Sequence, residues 1–120
     1  MENQGQESEV QRRRWEADSP ALAGVSGRLR LMVDNESLGV LTVDDGHLSV
    51  TDDAGAVDVT IMCTTREDLV KMLRGEVNVV VAALRGQVRM RGNRELGAKV
   101  VLGLRAGSPF VRTPFDAKDG

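Results

Sequence analysis

Tyrosine is absent, and the only large rings are Trp15, Phe110 and Phe115. So few aromatics exclude a stacking platform for single-stranded nucleic acid, which needs successive rings for successive bases. They also leave the core to Val, Leu, Ile, Met and Ala. Cys63 is the one cysteine, so no intramolecular disulfide can form and a reducing compartment fits. His47 is the one histidine. It follows Asp45-Gly46 in an expected hairpin and reads as a surface turn residue. Neither a GxGxxG nor a Walker sequence is present. No run reaches the ~18 apolar residues that a bilayer span needs. The polar start, MENQGQESEV, has no signal-peptide core, and the expected location is cytoplasmic.

The chemistry of catalysis is equally thin. An enzyme needs a nucleophile with its base, paired carboxylates or metal ligands. Asp44 and Asp45 are ordinary turn formers at a hairpin. Cys63 ends an apolar strand face and reads as a small core hydrophobe. It also precedes a helix N-terminus, where a thiol can be acidified. The reading is therefore of no catalytic residue, no metal site and no cofactor.

What is there is one domain's worth of apolar pattern. The chain has 120 residues, of which 41% are apolar and 28% charged, enough for a single core. The net charge is −2, but it is unevenly placed. Residues 28–62 are mostly acidic, and residues 66–105 carry nine basic side chains. Residues 1–24 are polar and charge-mixed and read as a loose segment, with a short helix over Ser8–Ala17 anchored by Trp15 as an option.

From Gly27 the apolar period is two. Leu29, Leu31 and Val33 share a face, as do Leu41 and Val43, Leu48 and Val50, and Val57, Val59, Ile61 and Cys63. Asn35-Glu36-Ser37, Asp45-Gly46 and Asp53-Ala54-Gly55 separate the runs. The expectation is an antiparallel meander of four strands with one buried face. At Thr64 the period becomes helical. Thr64 and Glu67 have capping-box spacing, Leu69, Val70, Met72 and Leu73 form a stripe, and Gly75 is a natural stop. Residues 77–84, VNVVVAAL, fit a strand by their valines and a short helix by Asn78 and Gly86. Gln87–Arg91 alternates again. Asn93 can cap a last helix carrying Leu96, Val100, Val101 and Leu104, in which Gly97 and Gly103 point to a loosened lid. The tail, residues 108–120, holds two Pro-Phe pairs and reads as extended.

Within Ala56–Leu104, several pieces in order resemble the sterol carrier protein type-2 family of non-specific lipid-transfer domains. They are Asp58-Val59-Thr60-Ile61, Glu67-Asp68-Leu69, Leu73-Arg74-Gly75, Ala82-Ala83 and Gly86-Gln87-Val88-Arg89-Met90-Arg91-Gly92-Asn93. The likeness extends over roughly residues 27–106, and it favours a short helix for VNVVVAAL. It implies an α/β (α+β) fold, an antiparallel sheet of about five strands packed against helices over residues 25–107, with an apolar tunnel between the layers. The tunnel walls it implies are Ile61, Leu69, Met72, Leu73, Val81, Leu84, Val88, Met90, Leu96, Val100 and Leu104. The function it implies is carriage of fatty acyl, sterol-like or polycyclic molecules. The alternative is a mould for a non-redox cyclase or isomerase of a biosynthetic pathway. Arg85, Arg89 and Arg91 offer a contact to anionic membranes. The net acidic charge speaks against nucleic acid, and the sequence leaves the oligomeric state open.

Overall fold

A computed structural model describes residues 16–52, 55–110, 113 and 115. Its elements are β1 (Glu16–Asp18), a 3-10 turn (Pro20–Leu22), β2 (Ser26–Val33), β3 (Glu36–Asp44), β4 (His47–Thr51), β5 (Val59–Cys63), α1 (Arg66–Leu73), α2 (Val79–Leu84), β6 (Val88–Gly92) and α3 (Arg94–Gly107). The strands form one six-stranded sheet in the order β1-β4-β3-β2-β5-β6. Helices pack on one face of it.

The period-two runs became strands for the expected reason. Leu29, Leu31, Leu41, Val43, Leu48, Val50, Val59, Ile61 and Cys63 are buried together on one core. Asp45 and Gly46 both hold positive φ, 49° and 86°, as a two-residue hairpin turn requires. The preceding hairpin turns at Asp34-Asn35, one residue earlier than expected. Asp34 takes the left-handed conformation at φ 58°, and Glu36 already pairs with Val33.

Two features depart from the expected meander. The sheet has six strands rather than five, and it is not wholly antiparallel. β5 pairs with β2, in parallel, through Leu29↔Val59 to Val33↔Cys63. The chain therefore leaves β4, passes β3 and β2, and enters beyond them. On this crossing Gly55 and Ala56 lie on the face opposite the helices. Arg28 donates from Nη1 to the Ala56 carbonyl (2.7 Å), and Arg30 from Nη2 to the Gly55 carbonyl (3.0 Å). Both arginines alternate with the inward-facing Leu29 and Leu31. Alternation reports which face is buried but not which neighbour a strand takes.

The expected loose segment over residues 1–24 is also modified. Residues 16–24 are an ordered part of the domain. β1 pairs with β4, and Leu22 is buried at 1% exposure. The helix considered over Ser8–Ala17 lies largely outside the described residues.

The helices follow their caps. Thr65, not Thr64, caps α1, its side chain accepting from Asp68 N at 3.1 Å. Thr64 instead donates to the Gly86 carbonyl at 3.2 Å. Gly75 (φ 78°) ends the helix against the backbone carbonyl of Leu104, leaving no room for a Cβ. VNVVVAAL contains a helix, because the Asn78 side chain accepts from Val80 N and Val81 N. Asn93 caps α3 by accepting from Leu96 N at 3.1 Å. The glycines of α3 are contact points rather than loosening sites. Gly97 faces Met90 and Gly103 faces Leu22, while Val100, Val101 and Leu104 are buried.

Candidate functional site

Among the described residues β6 is an edge strand with β5 as its single neighbour. Alternation turns Val88 and Met90 toward the helices and Arg89 and Arg91 the other way. Because the edge is open, both sets are reachable from one side. Met62 stands beside Arg89 in the ladder. Ala83 comes from α2, and Arg94 and Ala98, one helical turn apart, come from the start of α3. Together these eight residues line a groove of about 520 Å³, a size suited to a small ligand.

The groove is amphipathic. Met62, Ala83, Val88, Met90 and Ala98 supply an apolar wall, and Arg89, Arg91 and Arg94 supply guanidinium groups at its border. Among the described residues these three arginines, and the nearby Arg85, have no side-chain hydrogen-bond or ion-pair partner. The acidic group on these elements is engaged elsewhere: Glu95 pairs with Lys99 at 3.6 Å, and Glu76, in the loop before α2, pairs with Arg74 at 3.2 Å.

Of the expected tunnel walls, only Val88 and Met90 line this groove. Ile61, Leu69, Met72, Leu73, Val100 and Leu104 are at most 1% exposed and belong to one packed core. Leu96 borders a smaller polar hollow of about 280 Å³ with Gly24, Ser26, Asn93 and Lys99. Val81 and Leu84 point to solvent, at 41% and 83% exposure. That is a correction to their expected inward placement. α2 is one short helix resting on the sheet through Ala82, so its larger side chains face outward. Sequence reasoning missed Met62, Ala83 and Ala98, and the i, i+4 spacing from Arg94 was the available signal for Ala98.

The remaining candidates separate cleanly. Cys63 is buried, and burial first, then the charge of Asp68, pushes its thiol up to about 12. The acidified-thiol reading is thereby overturned. His47 is an exposed residue that pairs with Asp18 and Glu16, away from the groove.

The model of the SCP-2 sterol transfer family matches residues 8–102. The chain belongs to that family. SCP-2 domains are lipid-binding and lipid-transfer modules, and the match begins well before residue 27, where the sequence resemblance starts. Solved structures share the fold. A ubiquinone synthesis protein, UbiJ-SCP2, is 20% identical with a TM-score of 0.55, the alignment covering 72% of this chain and 73% of that one. The sterol carrier protein domain 2 of Helicoverpa armigera is 23% identical with a TM-score of 0.51, covering 74% of each chain. The stereoselective inverting sec-alkylsulfatase Pisa1 from Pseudomonas sp. is 20% identical with a TM-score of 0.54, covering 72% of this chain but 14% of that larger one. No curated protein matches the sequence. Among the described residues no helix is long and apolar enough to cross a membrane.

Proposed function

We propose that this SCP-2 domain binds and carries an amphiphile with an acidic head group, such as a fatty acid or acyl ester, without making or breaking its bonds. The observation that carries the reading is the apolar groove of Met62, Ala83, Val88, Met90 and Ala98 bordered by three unpaired guanidinium groups. The apolar wall takes the chain, and Arg89, Arg91 and Arg94 take the head. The tunnel implied by the sequence resemblance would continue this groove inward past Met90, whose flexible thioether can change rotamer.

Magnitudes fit a carrier. Ten buried methylenes contribute ~8 kcal/mol gross, and association with ordering costs several of these. Micromolar binding needs ~8 kcal/mol net, so the arginines must supply the difference. An anionic head is then a requirement for affinity. A cytoplasmic carrier that contacts an anionic membrane through Arg85, Arg89 and Arg91 fits this reading, since an insoluble cargo has to be collected from a bilayer. The family match does not favour the alternative, a mould for cyclisation or isomerisation.

Displacement of a fluorescent fatty acid tests the proposal. Palmitate should displace it at micromolar concentration, and hexadecanol should do so at least tenfold less well. Arg94→Gln should erase that preference. Absence of any displaceable site at high micromolar palmitate overturns the reading.

A further inference from the structure

α2 makes little use of its apolar side chains in the fold. Asn78 caps it, and Ala82, at 4% exposure, is its buried contact among the described side chains. Val80, Val81 and Leu84 are 63%, 41% and 83% exposed. At 100° per residue, positions 80, 81 and 84 fall within one third of the helix circumference. They form one outward stripe rather than scattered surface residues.

The surroundings of that stripe are cationic. Arg85 ends the helix, Arg89 and Arg91 lie on β6 beside it, and Arg94 opens α3. All four are exposed, and among the described residues none has a side-chain partner. A short apolar wedge with free guanidinium groups at its own end, on the neighbouring strand β6 and at the start of α3 is complementary to one kind of surface: acyl chains beneath a layer of anionic head groups. The helix is six residues long, or ~9 Å, and because its stripe faces sideways it would lie in the plane of the interface. α2 also carries Ala83, which lines the groove, so the wedge and the groove share one element.

We propose that α2 is a membrane-docking wedge: Val80, Val81 and Leu84 enter the interface of an anionic bilayer, Arg85, Arg89, Arg91 and Arg94 engage its head groups, and the groove is thereby held against the lipid. The purpose assigned to this docking rests on the carrier reading, but the docking itself is measured separately.

The test is flotation with vesicles of phosphatidylcholine containing 30% phosphatidylserine, beside fatty-acid displacement without vesicles. The wild type should bind anionic vesicles at least tenfold more tightly than pure phosphatidylcholine, and added salt should weaken that binding. Val80→Asp and Leu84→Gln should each weaken it about tenfold, and Arg85→Gln about fivefold. Val80 does not line the groove and sits near the helix N-terminus, where Asp is tolerated. Val80→Asp should therefore keep the wild-type melting temperature and fatty-acid displacement. A wild type that ignores anionic vesicles, or a Val80→Asp variant that binds them unchanged, overturns the wedge. So does a wild-type dimer in sedimentation velocity that Val80→Asp dissociates, which would assign the stripe to a second copy. Loss of displacement in the wild type with docking intact would instead overturn the carrier reading alone.

Discussion

Leu22 fills a notch that Gly103 leaves in α3. A Cβ on Gly103 would collide with Leu22 Cδ2 and lie 2.7 Å from its Cγ, and Leu22 is 1% exposed. This contact seats the turn between β1 and β2 onto α3.

Gly103→Ala should therefore destabilise the fold. Helix propensity favours alanine by ~1 kcal/mol, and overpacking a closed site costs ~1–3 kcal/mol. The expected net loss is ~1 kcal/mol, read as a fall of about 4–8 °C in Tm. Gly107→Ala is the control. It is in the same helix with nothing within 4 Å of the added carbon, so its Tm should hold or rise.

His47 ties β4 to the edge strand β1. When the ring is protonated, Nδ1 donates to Asp18 Oδ1 (2.7 Å) and Nε2 to Glu16 Oε1 (3.1 Å). Asp44 stands opposite in the β3 register. Asp18 and Glu16 raise the His47 pKa above 6.5, with the Asp18 hydrogen bond the largest cause, then that of Glu16. The folded value is above the unfolded one. The stabilisation is thus complete below about pH 6.5 and is lost as pH rises through the higher folded value. The site is 46% exposed on the histidine side, which limits the effect to under ~1 kcal/mol. NMR should titrate His47 above 6.5, and His47→Ala should flatten the pH dependence of Tm across that window without changing fatty-acid binding.

Cys63 should resist modification while the protein is folded. Its thiol is 2% exposed and pushed up to about 12, so the thiolate is scarce at pH 8. Labelling by iodoacetamide at pH 8 should be slow and should accelerate in step with unfolding by urea. Rapid stoichiometric labelling of the native protein would contradict this placement.

The two phenylalanines close the core from the C-terminal end. Phe110 and Phe115 are 6% and 7% exposed. Ser108 donates to the Leu73 carbonyl at 2.5 Å, and the Phe115 ring reaches Gly39 of β3, where an added Cβ would lie 3.4 Å from its Cζ. Phe110→Ala and Phe115→Ala should each cost about 3 kcal/mol and lower Tm by ~10 °C or more. Removal of residues 108–120 should do at least as much. An unchanged melting temperature after truncation would mean that the rings serve a partner rather than the core.

Much of the fold was legible because it rests on local rules. Period two from Leu29 to Val50 marked strands, Asp45-Gly46 marked a turn, and Asn78, Asn93 and Gly75 marked helix ends. Each is a decision between a side chain and the backbone within a few residues of it. The ordered pieces from Asp58 to Asn93 were enough to resemble the family whose model matches the chain.

The candidate site was less legible. The sequence identified apolar positions on α1, α2, β6 and α3 but could not say which of them face each other. Val100 and Leu104 became core, Leu84 became surface, and Met62 with Arg94 became groove. What the sequence by itself determined is the set of elements, their caps and their buried stripes. Tertiary structure alone decided that β5 crosses to pair in parallel with β2, that β6 is left as an open edge, and that the Arg89, Arg91 and Arg94 side chains meet an apolar wall there. The physical reason is range. Periodicity and capping act over three or four residues, whereas strand partners are chosen by contacts between segments some thirty residues apart, which no local pattern encodes.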